Sequence, residues 1–400
     1  MLKTIKQVII KGIIQFTCLI FLFVTSGSFA QHNDNKAPEA TIAEAKISFR
    51  DLPYLKEAFI DTAPRNRKDD IPVGKLGIDG GNKAMILKLA QEIAEKKHGS
   101  YDGLLIAHKG KLLFESYYLK GRVNLPHEQS SATKGYTSMI LGRAIQLGYL
   151  TMADLHKPII NFLKDLDRSK LVDGAEKITL HKVLTMRSGI RISEDKRGEF
   201  NKNPNQLKGQ RLVQTWLEHS EPITKESQSY LYGPDPVLVM QVIDAVVPGT
   251  SKDFIKTELL DKLGITNYIW QNAASGLPEA GWRVSMTSRD MLKWGMLVLN
   301  RGKWNGEQLI PEAFVAKATS KITKPTANWQ PKSYSYGYFW YQADITVDDK
   351  SYNANFAWGG GGQHVIVVEE LDLIITITGH DGKDTIMTQV SENILPAFVK

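Results

Sequence analysis

The stretch SSATKGY, Ser130–Tyr136, sets a serine three residues ahead of a lysine, and a long run of good helix formers follows it. Residues three apart on a helix share a face, so Lys134 can stand beside the Ser131 hydroxyl. A serine hydroxyl is a weak nucleophile and needs a base. A lysine can serve if burial or a nearby cation leaves it neutral part of the time. At a helix N-terminus the serine's own N–H can also point at a developing oxyanion. One short segment could therefore supply nucleophile, base and half an oxyanion hole, with Ser130 as the cap or neighbour. The bland reading is an ordinary polar helix start, and spacing alone leaves both open. Ser193-Glu194-Asp195-Lys196 repeats the pattern inside SEDKRGEF, which reads as a solvated loop.

The segments around this stretch organise the chain. Before it, residues 82–97 have apolar side chains at helical spacing, and GLLIAHKGKLLFESYYL reads as two strands joined at His108-Lys109-Gly110-Lys111. After it, residues 151–280 are mostly helical with long loops. A helix starts near Thr287, with Thr287 or Ser288 as cap and Asp290 in its first turn. Short β-branched or aromatic strands return from about Tyr334, and an amphipathic helix, roughly 384–398, ends the chain. Strands at both ends must share one sheet. The expected fold class is α+β: an antiparallel sheet flanked by N- and C-terminal helices, plus an all-helical insertion. The expected parts are an extended segment at 31–80, a sandwich domain from 81–150 and 281–400, and a helical domain at 151–280.

Residues 1–30 differ from the rest. Lys3, Lys6 and Lys11 precede the apolar run Cys18–Val24, and Ser28-Phe29-Ala30 offers a small-x-small cleavage site. This reads as a signal peptide. The alternative is a single membrane anchor, but the run is shorter than the ~20 residues a spanning helix needs. A lipoprotein reading would use Cys18, for which Gln15-Phe16-Thr17 are poor neighbours. The expected location is therefore exported, periplasmic or secreted, with no stable membrane span after cleavage. Cys18 is the only cysteine, which excludes disulfides, zinc–thiolate sites and a cysteine nucleophile from the mature chain.

Hydrophobic residues make up 42% of the 400 and charged residues 23%, an ordinary globular balance with a sizeable core. The net charge of +7 includes the three signal lysines, and the other basic residues are interleaved with acids. No nucleic-acid stripe emerges. HExxH, GxSxG, GxGxxG and Walker motifs are absent from the sequence. The histidines lack metal-ligand spacing, and His181 and His364 read as structural. Neither metal nor cofactor is expected.

Five segments in order resemble the serine β-lactamase-type hydrolases: class C β-lactamases, their esterase relatives and 6-aminohexanoate-dimer hydrolases. They are the helix from SSATKGY, ITLHKVLTMRSGI, YLYGPDPVLVMQVIDAVVPG, WRVSMTSRDMLKWGMLVLNRG and FAWGGGGQHVIVVEELDLIITITG, together spanning roughly residues 80–398. The resemblance implies acyl-enzyme formation on Ser131 with Lys134 as base. It implies Tyr232 as the tyrosine of a Tyr-x-Asn or Tyr-x-Ser motif, with Tyr230 as its bland aromatic neighbour. The oxyanion hole would pair the Ser131 N–H with an amide of the glycine-rich strand.

Two departures from the family pattern bear on substrate. Trp358-Gly359-Gly360 stands in for Lys-Thr-Gly or His-x-Gly. The register could slip by one, making the second oxyanion amide that of Gly360 or Gly361. Either way no lysine meets a substrate carboxylate. Pro234 replaces a hydrogen-bonding Asn or Ser. Trp358 could wall the site or be plain core, and Gln363 could contact a ligand. The glycines could serve close approach or a flexible turn. The expected activity is hydrolysis of small-molecule esters or linear amides lacking a critical carboxylate. The alternatives are a β-lactamase or D-Ala-D-Ala carboxypeptidase, and a non-catalytic binding protein on the same fold.

Overall fold

The hairpin that the sequence predicts is the seed of the sheet. In the computed structural model, which describes residues 36–381 and 385–399, strands β2 (Tyr101–His108) and β3 (Lys111–Tyr117) turn through Lys109 and Gly110. Both turn residues have positive φ (50° and 73°), the conformation that fits the twist of a two-residue hairpin. Four further strands come from the C-terminal part: β5 (Tyr341–Val347), β6 (Lys350–Gly359), β7 (Gln363–Val368) and β8 (Leu373–Gly379). The seam between the two ends of the chain is the antiparallel β2–β8 pair, with Leu104 opposite Ile377. With β1 (Phe59–Asp61) and β4 (Ser335–Tyr336) at the edges, the order is β1-β3-β2-β8-β7-β6-β5-β4. All seven residues of β8 are buried, which is why LIITITG reads as a nearly continuous apolar run rather than an alternating one.

Helices cover this sheet. The helix Ser288–Leu299 packs across β2, β7 and β8, and Thr287 caps it by accepting from the Asp290 N–H (3.2 Å). The helix Lys83–Ala94, capped by Asn82, packs against a helical run from Ile386 to Phe398. That run passes through a π-turn at Val390–Ile394, so the C-terminal helix is wider-wound at its centre than its sequence pattern suggests.

Three expectations are corrected. The 31–80 segment is not merely extended: it carries β1 and two short 3₁₀ turns, Glu44–Lys46 and Phe49–Asp51. Residues 151–280 are not wholly helical, because Tyr268–Trp270 pairs with Val284–Met286, which in turn pairs with His127–Glu128. SEDKRGEF is not a loop but the start of a helix, Glu194–Lys202, capped by Ser193. The signal-peptide features, including Cys18 and Ser28-Phe29-Ala30, lie outside the described residues. Among the described residues no helix is long and apolar enough to cross a membrane.

Candidate active site

The helix Thr133–Gln146 is buried along thirteen of its residues, so the groups at its N-terminus are held by the whole core. A single 3₁₀ turn, Ser130–Ala132, leads into it. Ser130 does not cap the helix. It adopts a left-handed backbone (φ 45°), and its carbonyl accepts from Thr133 Oγ1 at 2.8 Å. The turn leaves Ser131 partly exposed and brings Lys134 Nζ to 2.9 Å from Ser131 Oγ. Lys134 is only 7% exposed. Its ammonium also donates to the Gly281 carbonyl (2.9 Å) and stands 4.8 Å from the centre of the Tyr232 ring. Ser131, Lys134 and Tyr232, drawn from two separate segments, thus meet at one point.

The second copy of the pattern behaves differently. Ser193 accepts from the backbone N–H of Lys196 as a helix cap, and the Lys196 amine pairs with Glu199 at 2.9 Å on an exposed face. Only the first copy places an amine on the serine oxygen.

The tyrosine loop is anchored from beneath. Asp235 begins the helix Asp235–Val246 and accepts from both the backbone N–H (3.0 Å) and the hydroxyl (2.7 Å) of Ser188. Burial pushes the Asp235 carboxyl up to about 6, with these two bonds pulling the other way. Leu231 N–H donates to the Met186 carbonyl (2.9 Å), so ITLHKVLTMRSGI and the tyrosine loop form one support. Tyr230 is buried, and its hydroxyl accepts from Gln330; burial drives its ionisation upward, away from any role as a base. Tyr232 is half-buried, with its ring facing the Lys134 amine.

The glycine-rich segment divides in two. Gly359 ends β6, while Gly360–Gly362 turn into β7. A Cβ on Gly359 would fall 2.2 Å from the Gln129 carbonyl oxygen and 3.0 Å from the Ala132 nitrogen. Gly359 therefore fills the close-approach position beside the serine turn. Alternation along the strand agrees, since Ala357 sits below Gly135 of the central helix. The close approach thus falls on Gly359, and the next amide along the chain is that of Gly360. Gly361 and Gly362 have positive φ and belong to the turn. Gln363 is 2% exposed and donates to the Gly379 carbonyl (2.6 Å), so its amide braces the turn.

Trp358 is half-buried and belongs to an aromatic chain that the sequence reading did not assemble. Trp329 bridges it to Tyr232, with ring centres 5.3 Å and 5.1 Å apart, and Tyr334 and Tyr341 close the other side. Trp329 lies in a loop without periodicity, so no local pattern marks it. The Gly281 carbonyl was equally hidden, because a backbone acceptor leaves no trace in residue type. His181 bonds the Tyr338 hydroxyl (2.8 Å), and burial lowers its ionisation to about 4. His364 stacks 5.9 Å from the Trp358 ring. Among the described residues no cluster of His, Cys, Asp or Glu could hold a metal.

A family model described as beta-lactamase matches residues 88–386. Solved structures share the fold at low identity. A protein assigned as a 6-aminohexanoate-dimer hydrolase from Bacillus anthracis superposes with a TM-score of 0.60 at 17% identity, covering 84% of this chain and 89% of that one. A class C β-lactamase gives 0.58 at 14% identity, covering 80% and 96%. A D-stereospecific amidohydrolase from Streptomyces sp. gives 0.56 at 15% identity, covering 78% and 98%. No curated protein sequence matches. The family match takes in the serine turn, the tyrosine loop and the glycine-rich strand and spans well over half of the residues, and the chain belongs to the β-lactamase family of serine hydrolases, on a β-lactamase/transpeptidase-like fold.

Proposed function

We propose that this protein is an exported hydrolase that forms an acyl-enzyme on Ser131 and cleaves carboxylic esters or linear amides. The observation that carries this reading is the 2.9 Å contact between Ser131 Oγ and the Nζ of the buried Lys134. In the neutral form Lys134 takes the Ser131 proton as Oγ bonds to the substrate carbonyl carbon. The resulting oxyanion is held by the amides of Ser131 and Gly360. When the bond to the leaving group breaks, the proton passes from Lys134, by way of Tyr232, to that group. Water then attacks the acyl-enzyme carbonyl and gives up one proton to return Ser131 to its hydroxyl form. The support for Tyr232 is its ring contact with Lys134.

The substrates do not depend on a carboxylate. The segment Ala357–Gly362 offers no cation to meet one, and Pro234 offers no donor. Relatives of this fold include an amidohydrolase and a β-lactamase, so esters, linear amides and penicillins are the compounds to compare. Ser131-dependent turnover of p-nitrophenyl esters is expected, with a fluorophosphonate adduct on Ser131 detected by peptide mass spectrometry. Unchanged turnover in Ser131→Ala would remove the nucleophile and favour a binding protein. Faster hydrolysis of benzylpenicillin than of simple esters would overturn the substrate assignment. Export rests on the features of residues 1–30, and N-terminal sequencing of the secreted protein should begin at Gln31.

A further inference from the structure

A cavity of about 390 Å³ opens beside Lys134 and Gly281, at the small end of the range for ligand pockets. Its depth is apolar: Ile190, Ile192, Phe200, Leu207, Leu212 and Trp216 line it, and Trp282 stands at its rim, 47% exposed. Two other charged side chains also line it. Glu279 Oε1 accepts the backbone N–H groups of Ala280 (3.0 Å) and Gly281 (3.2 Å), and Arg197 Nε donates to the Ile192 carbonyl (3.3 Å).

We infer that this cavity is the acyl-chain pocket, and that the preferred substrates are esters of unbranched, uncharged, medium-chain carboxylic acids. This rests on Ser131 being the acylated nucleophile. Two features select the acyl half of the substrate. Lys134, bonded to Ser131 Oγ, lines the cavity, so a chain on the acyl carbon starts one side chain away from it. The leaving group must meet the proton donor, and Tyr232 lies with Trp329 and Trp358 outside the cavity lining. The chain therefore enters the cavity while the alcohol departs past the aromatic wall. Burial of each methylene should raise kcat/KM about fourfold until the cavity is full.

The test is kcat/KM for p-nitrophenyl acetate, butyrate, hexanoate and palmitate, with fluorophosphonate labelling of Ser131 run in parallel. The expected profile rises from acetate to hexanoate and falls at palmitate. Ala273→Phe, which fills the cavity wall, should collapse the hexanoate-to-acetate ratio, and Trp216→Ala should move the optimum to longer chains. A flat or falling profile with intact Ser131 dependence overturns the pocket and leaves the hydrolase reading standing. Labelling at Ser131 without turnover of any ester in the series also overturns it. Loss of both labelling and turnover removes the hydrolase reading and this inference with it.

Discussion

Replacing Gly359 with alanine tests the geometry of the site at its tightest point. The new Cβ would sit 2.2 Å from the Gln129 carbonyl oxygen, against roughly 3.5 Å for a relaxed contact, so the strand and the serine turn must part by about an ångström. Neither side yields easily. Gln129 is held at its backbone N–H by Val284 (2.7 Å), at its side-chain oxygen by the Tyr136 hydroxyl (2.9 Å) and at its amide nitrogen by the His127 carbonyl (2.8 Å). Gly359 is itself paired with Gln363 across the hairpin. A displacement of that size between nucleophile and oxyanion amide costs on the order of 10² in rate. The clash itself costs about 1–3 kcal/mol of stability. Gly360→Ala is the control, because nothing lies within 4 Å of its Cβ, its backbone is outside the left-handed region and its amide survives. Its kcat should stay within a few-fold of the parent. The assay is kcat on a p-nitrophenyl ester together with thermal melting of both variants. A Gly359→Ala enzyme with full kcat, or a Gly360→Ala enzyme that is the more damaged, would refute the assignment of Gly359 to the close approach and of Gly360 to the oxyanion amide.

Lys134→Arg should lower kcat on the order of 10³, since arginine keeps its proton and cannot act as base in a site where the amine already faces Ser131 and Gly281; stopped-flow release of p-nitrophenolate reads it. Asp235 binds its proton more tightly folded than unfolded, so its contribution should erode by about 3 kcal/mol as pH rises from about 4 through about 6. Urea melts of the parent should show this decline, and Asp235→Asn should lack it. Arg289 holds buried Glu115 with two bonds (2.9 and 2.6 Å) and Asp69 with a third (2.9 Å), tying the N-terminal segment to the sheet. Arg289→Leu strands Glu115 and should cost about 3–5 kcal/mol, while adding Glu115→Leu should recover much of that loss in the same urea melts.

The sheet and its flanking helices were legible because their signals are local. Asn82 and Thr287 announce helix starts, Lys109-Gly110 announces a hairpin, and β8 announces itself by a run of β-branched residues. The serine–lysine pair was legible for the same reason, as both residues lie within one turn. What escaped is what the chain assembles from a distance. Trp329 joins the site only because its loop is carried over Tyr232, some hundred positions earlier in the sequence. The Gly281 carbonyl meets Lys134 across 147 positions. The register of the four glycines was ambiguous for a related reason. Each is chemically identical, and only the Gln129 carbonyl and Ala132 nitrogen, brought in by a different element, show which of them cannot carry a side chain. The 3₁₀ turn at Ser130 and the π-turn at Val390 are small changes of winding that residue spacing does not encode.

The replacements at the two altered motifs have one direction. Ala357–Gly362 carries no charge, and Pro234 carries no donor and lines the cavity. Both changes delete polar contacts with which a site could orient a substrate, so orientation must come from shape and apolar area instead. On the proposed reading, a chain buried among Ile190, Phe200 and Trp216 supplies that area. The apolar pocket and the missing cation therefore argue for the same class of substrate, one held by shape and apolar area rather than by a charge of its own.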